Sequence, residues 1–341
     1  MQYELRYQVI EPRRHTFQYL IDRYGDQAAT RYIEGTVGVQ PTENFHYRPT
    51  WGPDRELYDV SYSSLRLTDP YSFLDPRGYY YANYVAARCE LHERFGQTLD
   101  YLDKRDLIAG LPDAWRSVLV QVILPLRHYE SGAQLVSVAG SRFAYGTSVE
   151  QCCSFAAFDR MGNAQMLSRI GLSLGSGARA VLDEAKAAWT GADRLQPLRR
   201  LTEEMMVIED WAEGLMAVDL TDSIIYPVLF SGLDSAALLG GAGAVSLLSQ
   251  HLAYWYSDQR RWVDALMSAW ATDPEHGHIN ATTLLEWRQR WLPRAVEAFQ
   301  PLARAVDEQL PGVGAADQAR AQVEDINGRW DKIFAREEVA S

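Results

Sequence analysis

The chain has 341 residues, 47% of them hydrophobic, which suffices for one large domain or two small ones with a sizeable core. Its 33 Lys and Arg against 45 Asp and Glu leave a formal net charge of −12, and this acidic balance argues against nucleic acid and anionic membranes as partners. Three cysteines, two of them adjacent, make a disulfide scaffold implausible and suit the reducing cytoplasm, where we expect the protein to be located.

The sequence carries no pattern of a secretion signal or a membrane span. Residues 1–15 are charged and lack the apolar centre of a signal peptide. The longest weakly polar run, residues 235–249, is rich in Gly and Ala and shorter than a membrane span. We therefore expect no membrane partner.

The N-terminal part is predicted to be a short helix followed by an extended arm. Residues 12–24 read as a helix, with Pro12 at its start and Gly25 just past its end. Residues 30–76 show no helical period but contain several prolines and the large aromatic residues Phe45, Tyr47, Trp51 and Tyr58. Because disordered segments are poor in aromatic residues, we expect an ordered arm docked on a neighbouring surface. The alternative is an arm that wraps its own domain.

Beyond the arm, apolar residues recur at helical spacing. The clearest stretch is 112–140, where one apolar stripe continues over about seven turns and Pro125 predicts a kink, not a stop. Pro227 predicts a second kink, whereas Pro293 and Pro301 are expected to interrupt their helix. The other predicted helices are 79–108, 148–171, 178–190, 195–218, 220–239, 244–272, 280–309 and 315–335.

These elements predict an all-α fold, because no alternating strand pattern and no tandem repeat is found in the sequence. Long helices that carry polar residues on buried faces indicate a ferritin-like long-helix bundle. The chain then divides into residues 1–76, an N-terminal helix with an extended docking arm, and residues 77–341, a ferritin-like helical domain. The glycines of GLSLGSG at 171–177 are interpreted as a helix–helix turn, because no Lys-Ser/Thr of a phosphate loop follows them.

A ferritin-like bundle raises the question of a di-iron site. Such a site takes one Glu from each of two helices and a Glu-x-x-His pair from each of two others. The two literal matches, Glu43–His46 and Glu275–His278, lie in the arm and in a helix–helix connection, outside the long helices. We expect them to be solvent-facing or interface residues. The sequence thus predicts no catalytic residue, no cofactor-binding residue and no metal ligand in this chain.

Other polar groups are given structural roles. His128 and Glu130 are two apart on a helix and do not face each other, so a buried, hydrogen-bonded structural His128 is favoured over an acid–base pair. Cys152 and Cys153 are expected to pack in the core, since they have no spaced Cys or His partners.

Two further polar clusters are also interpreted without a catalytic or metal-binding role. His276 and His278 are interpreted as loop residues and not as a metal site. The acidic residues between Glu203 and Glu213 indicate a solvated or intersubunit face.

Several segments resemble one known family. They are TRYIEGTVGVQPTENFHYRPTWGP at 30–53 and ILPLRHYESGAQ at 123–134, together with 65–88, 103–112, 159–172, 207–220 and 255–266. On these segments the chain resembles the beta subunit of phenol hydroxylases, which are bacterial multicomponent monooxygenases. The resemblance covers nearly the whole sequence, and NFHYRPTW and PLRHYESGAQ are its most specific motifs.

The resemblance implies a dimer of three-subunit protomers. The alpha subunit would hold the di-iron centre, the beta subunit would share its ferritin-like fold without the ligands, and a small gamma subunit would complete the protomer. A reductase with FAD and a 2Fe–2S cluster would supply electrons from NADH, and a regulatory protein would dock on the hydroxylase. No catalytic residue carries over to this chain, because the family's catalytic residues lie on the alpha subunit.

Two alternatives stay open from the sequence. The chain could be the equivalent subunit of a toluene, alkene or alkane monooxygenase, because the substrate pocket lies in the alpha subunit. It could also bind di-iron itself through a site that the motif search does not recognise.

Overall fold

A computed structural model describes residues 15–40 and 53–335, and within those ranges the regular structure is entirely helical. The predicted all-α fold is therefore confirmed. The α-helices, numbered in chain order, are Gln18–Tyr24 (α1), Arg31–Thr36 (α2), Tyr81–Asp103 (α3), Asp113–Val118 (α4), Leu126–Phe143 (α5), Thr147–Leu174 (α6), Ala180–Gly191 (α7), Gln196–Met205 (α8), Trp211–Tyr226 (α9), Asp234–Leu239 (α10), Gly243–Ala271 (α11), Gly277–Gln309 (α12) and Ala315–Phe334 (α13).

Helices α5, α6, α9 and α11 surround the centre of the bundle. A short connection joins α5 to α6, and the two helices pack along most of their length as a hairpin. Helix α3 lies across α6 and α11, whereas α12 and α13 pack against α9. The buried apolar residues of all these helices form one continuous core, so the polar side chains at its centre are shielded from water.

At both prolines for which a kink was predicted, a π-helical turn interrupts the α-helix. Residues Leu119–Ile123 form the turn before Pro125, and residues Pro227–Ser231 form the turn after α9. Proline has no amide hydrogen to donate to the carbonyl four residues earlier. Before Pro125 that carbonyl belongs to Gln121, and the Nε of Arg194 lies 3.4 Å from it as a replacement donor.

The predicted helices 195–218 and 220–239 were divided at the wrong place. The break lies at 206–210, and α9 runs without interruption through residue 219. Asp210 starts α9, because its side chain accepts the amide hydrogens of Ala212 and Glu213 at 3.0 and 3.3 Å. An Asp at the N-cap with Glu213 three residues later is a helix-start signal that apolar periodicity does not register.

The expected interruptions at Pro293 and Pro301 were also wrong. Helix α12 continues through both prolines. The carbonyls that lose their donors belong to Gln289 and Glu297, which are exposed residues. Water can satisfy those carbonyls, so the helix is not forced to end.

The arm is less irregular than predicted. It contains α2 and a short 3₁₀ turn at Val60–Tyr62. The side chain of Thr30 caps α2 by accepting the amide hydrogen of Ile33 at 3.2 Å. The N-terminal helix begins at Gln18 among the described residues, and its predicted start at Pro12 lies outside them.

Residues 63–68 are bonded to the bundle of their own chain. Asn280 is completely buried and forms two hydrogen bonds with the backbone of Arg66, accepting at 3.0 Å and donating at 2.7 Å. The carboxylate of Asp273 accepts the amide and the hydroxyl of Thr68 at 2.7 and 2.6 Å. This part of the arm therefore wraps its own domain, whereas Phe45 and Trp51 lie outside the described residues.

The α5–α6 connection is also bound to the N-terminal segment. Gln40 donates to the carbonyl of Ala144 at 3.2 Å and accepts the amide hydrogen of Gly146 at 2.9 Å. Gly146 has φ of 116°, and a Cβ there would collide with the carbonyl oxygen of Pro70. Only glycine meets both conditions, so this residue allows the hairpin and the arm to touch.

In the described part of the chain, Trp211–Leu239 is the one helical stretch long and apolar enough to cross a membrane. Its most apolar window is 89% buried inside the bundle. Burial by protein on this scale is typical of a core helix, and α9 is one of the helices around the bundle centre.

Candidate functional site

A guanidinium group lies buried at the centre of the bundle, between carboxylates from two helices. Arg160 on α6 is 1% exposed. Its Nη1 lies 3.2 Å from Oε2 of Glu130 on α5 and 3.1 Å from Oδ1 of Asp222 on α9. Its Nη2 donates to the other oxygen of Asp222. Charge-assisted hydrogen bonds therefore connect α5, α6 and α9 in the interior.

Neutral donors complete the coordination of the two carboxylates. The hydroxyl of Tyr226 donates to Oε1 of Glu130, and that of Tyr129 donates to Oδ1 of Asp222, both at 2.7 Å. The amide nitrogen of Asn163 lies 3.1 Å from the hydroxyl of Tyr226 and 3.4 Å from Oε2 of Glu130. Both carboxylates are thus bonded on each oxygen, as buried charges require.

The charges of this cluster do not cancel when both carboxylates are ionised. Burial raises the pKa of Glu130, and the nearby charge of Asp222 raises it further against the opposing effect of Arg160. Burial alone would lower the pKa of Arg160, but Asp222 and Glu130 raise it well above its usual value. The guanidinium therefore stays charged, and Glu130 holds a proton more readily than an exposed glutamate does.

Trp255 on α11 links this cluster to a second buried ion network. Its Nε1 donates to Asp159 at 3.0 Å, and its ring lies 4.8 Å from the guanidinium carbon of Arg160. Asp159 accepts from Nε and Nη2 of Arg88 at 2.7 and 2.8 Å, and the same Nη2 donates to Asp258 at 2.7 Å. The fourth central helix is thereby connected to the same polar core.

The second network extends into the N-terminal segment. Nη1 of Arg77 lies 3.5 Å from Asp258, and Nη2 of Arg77 lies 3.0 Å from Asp75. The side chains of Arg77 and Asp75 are almost completely buried. Alternating charges thus run from the bundle centre to residues 75–77.

The central cluster has the layout of a di-iron site but not its ligands. Glu130 and Asp222 each supply one carboxylate from a separate helix, as such a site requires. The pair spaced i, i+3 on α6 is Arg160 and Asn163, and α11 presents Trp255, where a di-iron site needs Glu-x-x-His on both helices. A cation already lies between the two carboxylates, so this donor set does not fit two iron ions. Among residues 15–40 and 53–335, no group of three or more His, Cys, Asp and Glu is arranged to hold a metal.

The literal Glu-x-x-His matches lie away from this cluster. Glu43–His46 falls outside the described residues. Glu275 lies just before α12, and its amide donates to Asp273 at 3.1 Å. His278, predicted as a loop residue, lies in the first turn of α12, and both side chains are exposed. Their side chains therefore face solvent and not the bundle centre.

His128 and Glu130 lie in different surroundings. His128 is half-buried and stacks on Trp189 with 6.0 Å between ring centroids. Its Nε2 has no hydrogen-bond partner among the described residues, contrary to the hydrogen-bonded histidine that we expected. Burial, followed by the charges of Arg127 and Lys186, lowers the pKa of His128 to about 4. The imidazole is therefore neutral at pH 7.

The adjacent cysteines lie in the core. Cys152 and Cys153 are buried and unpaired, and burial raises the pKa of both thiols. A protonated buried thiol packs as a small apolar group. The geometry thus matches the expected packing role of both residues.

The acidic residues from Glu203 to Glu213 only partly form a solvated face. Glu203 is exposed and pairs with Arg199 on its own helix. Glu213 is half-buried, and its Oε1 accepts from Arg290 at 2.6 Å and from Trp291 at 2.8 Å on α12. Part of this cluster therefore holds α9 against α12.

The helical period of 112–140 pointed to Glu130 as a polar residue in the core, but it gave no indication of its partners Arg160 and Asp222. Both partners lie on helical faces that are otherwise apolar. The useful signal was the i, i+3 spacing of Asp219 and Asp222 inside the apolar run 211–230. Acidic residues on a core helix need buried cations, so they predict partners such as Arg160 on a facing helix.

Comparisons with known proteins identify the family of the chain and match its fold. The family model described as methane/phenol/alkene hydroxylase matches residues 51–274. Over 324 residues the chain is 36% identical to the phenol 2-monooxygenase oxygenase component DmpL of Pseudomonas sp. strain CF600, which covers 94% of this chain and 95% of that relative. It is 25% identical over 270 residues to the methane monooxygenase component A beta chain of Methylosinus trichosporium, covering 76% and 66% of the two chains. A solved structure of xenon-pressurized phenol hydroxylase from Pseudomonas sp. OX1 matches with a TM-score of 0.88 and 33% identity over 97% of this chain and 98% of that chain.

Proposed function

Because the chain belongs to the methane/phenol/alkene hydroxylase family, we propose that it is the noncatalytic structural beta subunit of a multicomponent di-iron monooxygenase. The proposed complex hydroxylates phenol or a related aromatic compound with O₂ and NADH. The phenol assignment is supported by the higher identity to the phenol 2-monooxygenase component, 36%, than to the methane monooxygenase chain, 25%. The complex is proposed to act in the cytoplasm.

One observation carries the noncatalytic assignment. The guanidinium of Arg160 bridges Glu130 and Asp222, the two carboxylates that a di-iron site in this bundle would use. Iron ions between those carboxylates would have to displace a buried cation that both of them hold. The alternative of a di-iron chain in its own right therefore has little support from the donor set.

We assign the iron chemistry of the complex to the partner alpha subunit. The rest of the proposed complex consists of a gamma subunit, a regulatory protein and a reductase that carries FAD and a 2Fe–2S cluster, with the hydroxylase as a dimer of three-subunit protomers. In this proposal Arg160 holds α5, α6 and α9 at fixed positions. A rigid bundle can hold the surfaces that contact the alpha subunit at fixed positions.

An exposed apolar face on the α5–α6 hairpin suits such a partner. Leu135 and Val138 on α5 are 50% and 42% exposed, and Phe158 and Met161 on α6 are 54% and 46% exposed. On each helix the two residues are three positions apart, so each helix carries an exposed apolar pair on one face. Exposed apolar patches of this kind mark protein interaction sites.

The first test compares the chain purified alone with the chain co-purified with its alpha and gamma partners. Iron content and substrate-dependent O₂ consumption would be measured after reductase and regulatory protein are added. We expect iron and activity only in the co-purified complex. Iron and activity in the isolated chain would contradict the proposal.

A second test addresses the interaction patch. Leu135→Ser with Phe158→Ser should weaken co-purification with the alpha subunit, because the buried apolar area is lost. Leu239→Ser is the matched control, since Leu239 is 91% exposed on α10. Equal losses in both variants would contradict docking through the α5–α6 face.

We also propose that the segment around Phe45 and Trp51 docks on the alpha subunit. Deletion of residues 1–60 should weaken assembly, but it also removes the contacts that Gln40 makes with the bundle. Phe45→Ala and Trp51→Ala are therefore the sharper tests. They should loosen the complex and leave the far-UV circular dichroism unchanged; undiminished affinity would exclude the docked arm.

A further inference from the structure

A second polar site lies on the outside of the bundle, between α5, α6 and α7. It is an open pocket of about 450 Å³. Its polar lining is Arg127, His128, Ser131, Ser168, Arg179, Asp183 and Lys186. None of these side chains belongs to the buried cluster around Arg160.

The pocket is positively charged within an acidic chain. Arg127, Arg179 and Lys186 face one carboxylate, that of Asp183. Asp183 is already bound, because both of its oxygens accept from Arg179 at 3.0 Å. Three cations against one carboxylate leave the pocket with a net positive charge, although the whole chain has a formal charge of −12.

The pocket also contains donors without acceptors. One Nη of Arg127 donates to the carbonyl of Leu182 at 2.8 Å, but its Nε is buried and has no partner among the described residues. Nε2 of His128 is buried and equally without a partner. The ammonium of Lys186 makes no hydrogen bond or ion pair with any residue in the described ranges. Lys186 is exposed, whereas the buried Nε of Arg127 and Nε2 of His128 cost free energy in this state unless something outside the chain binds them.

We propose that this pocket is an oxyanion-binding site, which takes a phosphate or a carboxylate between Arg127 and Lys186. A guanidinium offers planar paired donors to such groups, and an ammonium adds a mobile point charge. His128, in the tautomer with hydrogen on Nε2, supplies a third donor. This ligand chemistry has two sources, a free anion in solution or an acidic side chain of a partner protein.

The lowered pKa of His128 is consistent with two cations close to its imidazole. Burial and the charges of Arg127 and Lys186 lower its pKa to about 4. A bound anion would offset those two cations, so it should move the pKa of His128 upward. The groups that face the imidazole and titrate or carry charge are Arg127, Lys186, Arg179 and Asp183.

The test is calorimetric titration of the full chain with inorganic phosphate, against sodium chloride of equal ionic strength. We expect saturable binding to the wild type and about ten-fold weaker binding for each lost cation in Arg127→Gln and Lys186→Gln. Lys186 is exposed, so its variant should fold normally even if Arg127→Gln does not. The matched control is Arg304→Gln with Lys332→Gln, which removes two exposed cations elsewhere.

Absence of saturable phosphate binding to the wild type would overturn the proposal, and so would an equal loss in the control variant. The ring resonances of His128, observed with labelled histidine, should shift on phosphate addition; unshifted resonances at saturation would place the anion elsewhere and also overturn it. The same titration on the assembled hydroxylase distinguishes the two sources. Retained phosphate binding there supports a free anion. Loss of phosphate binding, with assembly weakened in Lys186→Gln and not in the control, supports an acidic side chain of the partner.

Discussion

Replacement of Arg160 by methionine tests how the bundle tolerates its central charges. Arg160 is 1% exposed and holds Glu130 and Asp222 at 3.2 and 3.1 Å. Methionine keeps much of the volume and removes the cation. Two carboxylates would then remain in the core with only Tyr129, Tyr226 and Asn163 as donors.

The expected cost is large. Removal of one partner from a buried ion pair typically costs about 3–5 kcal/mol, because an uncompensated charge stays behind. Here one cation serves two carboxylates, so we expect about 5 kcal/mol at pH 8. Domains are commonly stable by about 5–15 kcal/mol in total. The variant should therefore be unfolded or only marginally folded at that pH.

The cost should depend on pH in a definite direction. Burial raises the pKa of Glu130 in the folded wild type, and loss of Arg160 should raise it further. A carboxyl group with a raised folded pKa favours the native state fully at low pH, and that stability is lost as pH rises through the folded value. Arg160→Met should therefore be less destabilised at pH 5 than at pH 8.

Compensating variants separate charge from packing. Arg160→Met combined with Glu130→Gln and Asp222→Asn removes the uncompensated charges and should recover most of the lost stability. Glu130→Gln alone should gain stability relative to the wild type as pH rises, because it lacks the group whose pKa is raised. The assay is urea unfolding followed by tryptophan fluorescence at both pH values. Equal midpoints for Arg160→Met and the wild type at pH 8 would refute the reasoning.

Three further predictions concern packing, the arm and pH. Gly132→Ala should cost about 1–3 kcal/mol of stability, because the new Cβ would collide with the methyl group of Thr202. Gly328→Ala should stabilise by about 0.5–1 kcal/mol, because its Cβ meets open space in a helix. Thermal unfolding would check both variants, and equal shifts in midpoint would contradict the close-packing argument. Asn280→Ala should lower stability by about 2 kcal/mol and speed proteolysis of residues 53–80, because the backbone amide and carbonyl of Arg66 lose their partner. An unchanged proteolysis rate would show that the arm is held by other contacts. The contribution of His128 to stability should be lost as pH drops from 6.5 towards about 4, because the unfolded chain protonates this histidine more readily. His128→Gln should therefore gain stability relative to the wild type over this range; parallel pH profiles of the two proteins would exclude the histidine as a cause.

The sequence was sufficient to predict the bundle, because long helices with one buried face show the 3.6-residue period directly. It failed where a polar residue and not an apolar stripe sets a boundary. Asp210 starts α9 inside a stretch that was predicted as one helix, and Thr30 starts α2 inside an arm that shows no helical period. Both boundaries depend on one side chain that accepts backbone amide hydrogens, and averaging over a sequence window removes that signal.

The effect of each proline on its helix also depends on its surroundings in the fold. Pro125 and Pro227 lie beside π-helical turns in tightly packed parts of the bundle, and both were predicted as kinks. Pro293 is exposed, and the carbonyl that it leaves free belongs to the exposed residue Gln289. Whether a proline interrupts a helix therefore depends on which face it occupies, and that is known only once the packing is known.

The central cluster could not be predicted from the sequence for a different reason. Motif matching for metal ligands finds Glu-x-x-His pairs but passes over Arg160 and Asn163, which have the same i, i+3 spacing on α6. The pairing of Arg160 with Glu130 joins residues thirty apart in sequence, and that with Asp222 joins residues sixty-two apart. Charge balance among buried residues was the available clue, and it requires the facing helices to be identified first.

Metal analysis of the purified chain, expressed alone in iron-supplemented medium, tests the central claim most directly. If a guanidinium stands in place of iron between Glu130 and Asp222, the isolated chain should bind no stoichiometric iron, and Arg160→Met should not restore it, because α6 and α11 lack Glu-x-x-His pairs. About two iron ions bound per wild-type chain, the number that a carboxylate-bridged site holds, would contradict the account.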